Sequence, residues 1–268
     1  MLTEKPLKIL ILGGTKDSTN LIKLIKENIP ESYILTTTTT EYGSKLAKES
    51  GSDDTISRPL PKNEIIEIIN KNDFNILIDA THPFATHITK TATEISEELG
   101  IKFIRFERPG FDFSTVDCET IFHVSSFVEA GLMVSNLGLE KENILHFAGA
   151  NTMEDVLKNV NTKYFYPRVL NVKSSVEKCE ELWIHSNNVL FMSGVSSKEE
   201  NINLINKYCA KAIITKESGD TGGIYEKISA ANELNIKIIL VDRPKIDGLK
   251  EENIVNDLDM IINILKKI

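Results

Sequence analysis

The chain has 268 residues, a hydrophobic fraction of 41% and a formal net charge of −8 at pH 7. This length accommodates one large or two modest domains, and the hydrophobic fraction is sufficient for a packed core. The negative charge argues against a nucleic-acid partner, and no run approaches the roughly 18 apolar residues of a membrane span. We therefore expect a cytoplasmic protein, most simply a monomer with no obligate protein partner.

Short apolar runs alternate with helical patterns along the whole chain. The predicted strands are residues 7–12, 33–38, 53–57, 75–80, 102–106, 143–148, 163–169, 189–193, 211–215 and 236–241. The clearest helical patterns are residues 18–28, 62–71, 84–99, 125–136, 197–208 and 222–234. Repeated βα units predict parallel sheets with helices on both faces, and ten strands suit two five-stranded sheets better than one.

The segment 108–122 is the expected boundary, because it contains proline, glycine and polar residues and lacks a clear period. The two halves also echo each other. The first half ends with Arg108-Pro109 and the second with Arg243-Pro244. After each of these dipeptides come a loop, a short apolar segment (Ile121–Val124 or Asn253–Val255) and a helix. We therefore predict an α/β fold of two Rossmann-like lobes with mostly parallel sheets and a cleft between them. The predicted domains are residues 1–115 and 116–268, with the last helix as a candidate brace for the other lobe.

Cysteine and histidine show no metal-ligand spacing. The three cysteines, Cys118, Cys179 and Cys209, lie far apart, and their odd number argues against a disulfide framework. Only His82 and His87 are close among the five histidines, and a spacing of five does not place both on one helix face. We therefore predict no metal site.

Polar side chains cluster where the predicted strand 75–80 meets the next helix. Asp79, Thr81 and His82 follow the apolar run directly, and Pro83 suits the first turn of a helix. Ligands bind at the carboxyl ends of strands in open α/β sheets. Asp79 is thus a candidate to hold His82, orient a water or bind a ligand hydroxyl, and Thr81 is a candidate helix cap. A capped helix with a satisfied aspartate is the structural alternative.

Two loops combine glycine with polar residues after a strand. Gly13-Gly14-Thr15 joins the first strand to the first helix, where free N–H groups attract an anion. Its spacing is not G-x-G-x-x-G, so a plain tight turn is the alternative. In the second half, Lys216-Glu217-Ser218-Gly219 belongs to a similar strand-to-helix segment, residues 214–223. Its lysine precedes the glycines, unlike a P-loop, and it predicts phosphate or carboxylate binding.

Arginine is scarce in this lysine-rich chain. It occurs only at Arg58, Arg105, Arg108, Arg168 and Arg243. Its planar fork binds carboxylate and phosphate in a bidentate way that lysine cannot copy. Arginines near strand ends are therefore candidate anion ligands, although chance also leaves a few arginines in such a composition.

Together these motifs resemble the precorrin-6A and cobalt-precorrin-6A reductase family of cobalamin biosynthesis. The matching segments are Leu10 to Thr15, Asp79 to Ala85, Arg105 to Pro109, Arg168, Thr215-Lys216-x-Ser218-Gly219, Glu226-Lys227-Ile228-x-Ala230-Ala231 and Arg243-Pro244. They occur in the expected order over residues 7–245. The specific part is the combination of Asp79 to Ala85 with the Thr-Lys-x-Ser-Gly loop.

The resemblance implies NADPH or NADH as cofactor and hydride transfer to a double bond of a precorrin macrocycle, giving precorrin-6B or its cobalt form. We expect cofactor contacts from Gly13, Gly14, Thr15, Thr37, Thr81, Lys216, Ser218 and Gly219. We expect substrate contacts from Arg105, Arg108, Arg168 and Arg243, which would give an acidic protein a locally basic site for a polycarboxylate. A proton must also reach the ring, and His82, with Asp79, is the candidate source beside solvent.

Two alternatives belong to other classes. A non-catalytic two-lobed binding protein for a nucleotide or small anion needs no hydride chemistry, and failure to bind NADPH or NADH would favour it. A nucleotide-sugar or sugar-phosphate enzyme would use the Gly13-Gly14-Thr15 turn. However, such an enzyme usually pairs tyrosine with lysine four residues later, whereas Ser229 follows Tyr225 at that spacing. Which lobe holds the cofactor diphosphate stays open.

Overall fold

The structure, a computed structural model, describes residues 6–192, 194–219 and 222–268. Its strands are β1 (Lys8–Leu12), β2 (Tyr33–Thr38), β3 (Asp54–Ser57), β4 (Ile76–Asp79), β5 (Lys102–Phe106), β6 (Ile121–Val124), β7 (Ile144–His146), β8 (Phe165–Val169), β9 (Leu190–Phe191), β10 (Ala212–Lys216), β11 (Lys237–Val241) and β12 (Ile254–Val255). Its α-helices are α1 (Lys16–Asn28), α2 (Glu41–Glu49), α3 (Lys62–Asn72), α4 (Thr86–Leu99), α5 (Phe127–Asn136), α6 (Met153–Leu157), α7 (Lys173–Glu181), α8 (Lys198–Lys207), α9 (Ile224–Glu233) and α10 (Leu258–Leu265). Ser193, Asp220 and Thr221, which fall in a predicted strand and a predicted loop, lie outside the described residues.

The strands form two sheets in which five strands follow the same order, whereas the sixth strand, at one edge, comes last along the chain in the first sheet and first in the second. The first has the order β12-β5-β4-β1-β2-β3 and the second has the order β6-β11-β10-β7-β8-β9, with six strands in each. Neighbouring strands are parallel throughout both sheets. Each sheet therefore has the doubly wound strand order, which confirms the predicted α/β class with parallel sheets.

Each sheet has one more strand than the sequence predicted. The extra strands are β6, which pairs with β11, and β12, which pairs with β5. Both come from the short apolar pieces that follow the closing Arg-Pro dipeptides. Pieces of four and two residues are too short to show a period, and only pairing with the edge of an existing sheet makes them strands.

The chain divides into two compact units. Met1–Pro109 and Lys245–Ile268 form the first unit, and Gly110–Pro244 form the second. This differs from the single boundary expected between residues 115 and 116, because the end of the chain lies with the first unit. There β12 extends the sheet, and the apolar face of α10 packs in the same core cluster as the apolar face of α1.

Both faces of the first sheet are covered by helices. Along β1, Ile9 and Ile11 belong to the core cluster that includes α1 and α10, whereas Leu10 and Leu12 belong to the cluster on the other face with α3 and α4. Burial on both faces explains why the strands appear in the sequence as continuous apolar runs. In the second unit, β7 and β10 share a core cluster with α8 and α9. Within the described ranges, no helix is long and apolar enough to cross a bilayer.

Candidate active site

The predicted loops lie where this fold binds ligands. The strand order of the first sheet reverses between β1 and β4, and that of the second sheet reverses between β7 and β10. Loops diverge at the carboxyl ends of such a strand pair and leave room for a ligand. Gly13-Gly14-Thr15 follows β1, the segment 80–85 follows β4, and the loop 217–223 follows β10.

The Gly13-Gly14-Thr15 turn is tied to the end of β4. The Thr15 hydroxyl donates a hydrogen bond to Ala80 O at 2.8 Å and accepts one from Ser18 N at 3.1 Å, so that Thr15 caps α1. The N–H groups of Gly14 and Thr15 both donate to Ser18 Oγ, at 3.2 and 3.1 Å. An anion at this turn must therefore replace the Ser18 hydroxyl as their acceptor.

Gly14 and Thr37 hold the shape of this turn. Gly14 has φ +98°, a conformation that residues with a Cβ rarely adopt. Thr37 lies near the end of β2, and its carbonyl accepts a hydrogen bond from Gly13 N at 2.9 Å. Because the Thr37 side chain is buried, its observed role is to fix the turn rather than to face solvent.

Asp79, Thr81 and Arg105 form a buried cluster at the ends of β4 and β5. The strand register places Asp79 opposite Arg105, and both side chains are 0% exposed. Asp79 Oδ1 lies 2.9 Å from Arg105 Nη1 and accepts hydrogen bonds from Thr81 N at 2.9 Å and Thr81 Oγ1 at 2.6 Å. Arg105 Nη1 also donates to Thr81 O at 3.2 Å. The cluster therefore locks the start of the loop after β4.

This cluster changes the interpretation of three predicted site residues. α4 begins at Thr86 rather than at Pro83, so Thr81 is not its cap, and the Thr81 hydroxyl instead bonds to Asp79. Arg105 has no exposed surface with which to meet a substrate carboxylate, and Asp79 has none with which to orient a water. A capping pattern in the sequence cannot distinguish these arrangements, because β4 and β5 meet only in the folded sheet.

His82 follows this cluster and is half-buried. Its Nδ1 accepts a hydrogen bond from Phe84 N at 3.1 Å, and its carbonyl accepts one from Ala85 N at 2.8 Å. A neutral imidazole that accepts at Nδ1 carries its proton at Nε2. Nε2 is therefore the atom through which His82 can donate to a ligand.

Two more predicted arginines are held by carboxylates. Arg108 Nη2 lies 2.6 Å from Oδ2 of Asp17, in the first turn of α1. Arg243 forms an ion pair with the buried carboxylate of Glu217, which also accepts hydrogen bonds from Phe111 N at 3.1 Å and Gly219 N at 2.9 Å. Glu217 was not a predicted site residue, and its position inside the Lys216–Gly219 loop was the only signal for it.

Arg168 is held differently. Its Nη1 donates to Ser196 Oγ at 2.6 Å, and its guanidinium carbon lies 4.5 Å from the centre of the Phe147 ring. Burial lowers the pKa of the Arg168 guanidinium, and the charge of Glu200 opposes this shift. Among the described residues, no carboxylate lies within ion-pair distance of the Arg168 guanidinium. Arg168 is therefore the predicted arginine best placed to bind a carboxylate group of a ligand.

Two described residues of the loop after β10, Ser218 and Gly222, pack tightly against each other. Ser218 is buried, and a Cβ added at Gly222 would overlap its side chain. Lys227, in the first part of α9, is only 4% exposed and donates to Gly222 O at 2.9 Å. Burial lowers the pKa of Lys227 to about 7, and the charges of Arg168 and Lys216 add to this shift. Lys227 was not a predicted site residue, and its place in the Glu226 to Ala231 segment was the only signal for it.

His146 closes β7 as a buried neutral imidazole. Its Nε2 lies 3.0 Å from the hydroxyl of Thr152, and its ring packs 5.1 Å from the ring of Phe165. Burial and then the charge of Lys216 lower the pKa of His146 to about 3. Over the part of the chain that is described, no group of three or more histidine, cysteine, aspartate and glutamate side chains could hold a metal ion.

Two doubly wound parallel sheets, each with polar loops at its point of strand reversal, define a two-unit Rossmann-like protein. The chain belongs to the family described as precorrin-6x reductase CbiJ/CobK, whose model matches residues 8–266. This membership confirms the predicted family and makes the protein an oxidoreductase.

Similar proteins cover nearly the whole chain. A protein named cobalt-precorrin-6A reductase in Methanothermobacter thermautotrophicus is 39% identical over 263 residues, which are 98% of this chain and 85% of the relative. A protein of the same name in Methanococcus maripaludis is 36% identical, over 98% of this chain and 100% of the relative. A solved structure named CobK precorrin-6A reductase has a TM-score of 0.74 and 17% identity over 97% of this chain and 96% of that one. The last similarity shows the fold alone.

Proposed function

We propose that the protein reduces a double bond of cobalt-precorrin-6A or precorrin-6A with hydride from NADPH or NADH, giving the corresponding precorrin-6B form in cytoplasmic cobalamin biosynthesis. The observation that carries this proposal is the family match over residues 8–266. The two relatives at 39% and 36% identity are both named for the cobalt-containing substrate. We therefore favour cobalt-precorrin-6A over its metal-free counterpart.

The residues present fit an anionic dinucleotide. When bound, the nicotinamide cofactor supplies the hydride, and the protein supplies position and electrostatics. The first unit offers the Gly13-Gly14-Thr15 turn beside Thr37 and Thr81, and the second offers Lys216, Ser218 and Gly219 beside the charge of Lys227. We propose both of these loops as cofactor contacts, because each combines glycine residues with the start of a helix.

The proposed substrate carries several carboxylates. The four candidate arginines differ in whether a carboxylate of the protein already pairs with them. Arg168 is our candidate for direct contact, since Ser196 and Phe147 orient its guanidinium without neutralising it. The other candidates, Arg105, Arg108 and Arg243, are ion-paired with Asp79, Asp17 and Glu217. We propose that these three act mainly by holding the loops that follow the strands.

His82 remains the candidate proton source. The Phe84 amide fixes its ring and leaves the proton of the neutral form at Nε2. Asp79 acts on this segment through Thr81, because its Oδ1 binds the amide and the hydroxyl of that residue. We therefore describe Asp79 as a positioning residue rather than a proton donor.

The decisive experiment is an anaerobic assay of the purified protein with each cofactor and each substrate form. We expect oxidation of NADPH or NADH to match the formation of product mole for mole. Cofactor labelled with deuterium at the transferring position should place one deuterium in the product. The absence of cofactor oxidation with both substrates would refute the proposed function.

Substitution of Arg168 tests the substrate contact. Arg168→Gln should raise KM for the tetrapyrrole roughly 10- to 100-fold, the range expected for one lost charge-assisted hydrogen bond. Arg58→Gln is the matched control, because Arg58 is exposed and its guanidinium already forms an ion pair with Glu64. An unchanged KM in Arg168→Gln would exclude direct contact.

A further inference from the structure

Lys227 occupies a position that is unfavourable for a permanent charge. Its side chain is 4% exposed, and it lies near the amino end of α9, where the helix dipole is positive. It donates to Gly222 O at 2.9 Å, which fixes the end of the loop after β10. A neutral amine can make this same bond, so the contact does not require an ammonium.

Two further cations act on this side chain from two strands of the second sheet, β8 and β10, which lie on either side of β7. Arg168 extends from β8 and Lys216 ends β10, and each disfavours a third positive charge at Lys227. Glu226, the adjacent residue on α9, opposes this effect with its negative charge, and its influence on the pKa of Lys227 is weaker than that of either cation. Burial, Arg168 and Lys216 together lower the pKa of Lys227 to about 7.

We propose that Lys227 couples ligand binding at the carboxyl end of β10 to the uptake of one proton. The amine is neutral in the ligand-free protein at mildly alkaline pH, and it takes a proton from solvent when a phosphate or carboxylate group binds beside Arg168 and Lys216. An anion there offsets the two neighbouring cations and restores the ammonium. The inference rests on the proposed reductase function, which supplies both kinds of anion.

In this proposal Lys227 is a positioning residue. Its side chain is neutral when the site is empty and positively charged when an anion is bound. In the ligand-free state the neutral amine avoids adding a further buried positive charge near Arg168 and Lys216. In the bound state it adds one favourable charge while keeping its bond to Gly222. The affinity for the anion should therefore weaken by up to about tenfold for each pH unit above neutrality, because binding then requires a proton.

The test is titration calorimetry on the full-length protein at about pH 8, in buffers with different ionisation enthalpies. NADH and cobalt-precorrin-6A are the two probes, each used alone. NADH is preferred to NADPH because its diphosphate does not titrate near neutrality. At about pH 8 a group with a pKa of about 7 is about 10% protonated, so the expected uptake is up to about 0.9 proton per ligand. Uptake with NADH assigns the site to the cofactor phosphate, and uptake with the tetrapyrrole assigns it to a substrate carboxylate.

Two substitutions separate charge from titration. Lys227→Met removes the charge and Lys227→Arg makes it permanent, so both should abolish proton uptake, while only Lys227→Arg should keep the affinity. Lys211→Met removes an exposed lysine of the same unit and should leave the uptake unchanged. If Lys227→Met does not fold, the native protein and Lys227→Arg still provide the comparison.

The outcomes separate this inference from the proposed function. Binding of both ligands with no buffer dependence of the enthalpy would overturn the inference and leave the reductase function intact. Proton uptake that persists in Lys227→Met or Lys227→Arg would also overturn it, because another group would then be responsible. If neither ligand binds, the proposed function fails and the inference fails with it.

Discussion

Removing the charge of Arg105 should strongly destabilise the first unit. Arg105 and Asp79 are both 0% exposed and lie 2.9 Å apart, so Arg105→Met leaves a buried carboxylate with no opposite charge beside it. Breaking a buried ion pair from one side costs about 3–5 kcal/mol in the free energy of unfolding. Methionine fills much of the same volume, so most of this loss reflects the stranded charge rather than a cavity.

The control is an arginine whose ion pair is exposed. Arg58 pairs with Glu64, but its side chain is 55% exposed, and such surface pairs contribute at most about 1 kcal/mol. Arg58→Met should therefore change the stability of the same unit only slightly. Replacing both buried partners, in Asp79→Leu with Arg105→Met, should recover much of the lost stability, because no charge then remains buried.

The assay must distinguish the two units. Hydrogen exchange on peptides from β7 and β10 follows the second unit and serves as an internal reference, because the single tryptophan, Trp183, is 88% exposed and its fluorescence would respond little to unfolding. Hydrogen exchange measured by mass spectrometry on peptides from β4 and β5 follows the first unit. The reasoning is refuted if Arg105→Met costs no more than Arg58→Met, or if the double variant loses the sum of the two single losses.

Two further predictions concern pH and backbone conformation. Buried His146 has a pKa of about 3 in the native state, whereas a solvated histidine has a pKa of 6.5, so the unfolded state binds more protons between these values. His146 should therefore make stability fall as pH decreases from about 6.5 toward 3, by up to about 1.4 kcal/mol per pH unit. His146→Gln should reduce the slope of stability against pH in this range, whereas His87→Gln, at an exposed position, should leave it unchanged. Gly14→Ala should destabilise the first unit by about 1–2 kcal/mol, because the position has φ +98°, whereas Gly110→Ala, with open space around the added Cβ, should have little effect. Equal urea midpoints for the two alanine variants would contradict the second prediction, and a slope of stability against pH that is unchanged in His146→Gln would contradict the first.

Much of the fold could be predicted because its signals are local. Strands buried on both faces appear as continuous apolar runs, and β1 and β4 are both runs of this kind. The alternation of such runs with helical patterns sets the α/β class. The loops at the strand ends were also visible, since glycine and polar residues interrupt the pattern there. The order of these motifs was enough to predict the family that the comparison over residues 8–266 confirms.

The contacts made by the site residues could not be predicted, because they join residues far apart in the chain. Arg105 lies 26 positions after Asp79, and only the pairing of β4 with β5 brings them together. Arg243 meets Glu217 in the same way, after β10 and β11 have paired. A scarce arginine looks the same in a sequence whether it awaits a ligand or holds a neighbouring loop.

The amino-acid sequence by itself determined the parallel α/β class, the positions of the polar loops that follow the strands and the reductase family. Only the tertiary structure decided that β12 returns to the first sheet, that three arginines are neutralised by carboxylates, and that Lys227 is buried near other cations. The physical reason is that hydrophobic periodicity is a property of neighbours along the chain. Burial and electrostatic environment, in contrast, depend on distances that exist only after distant segments have packed together.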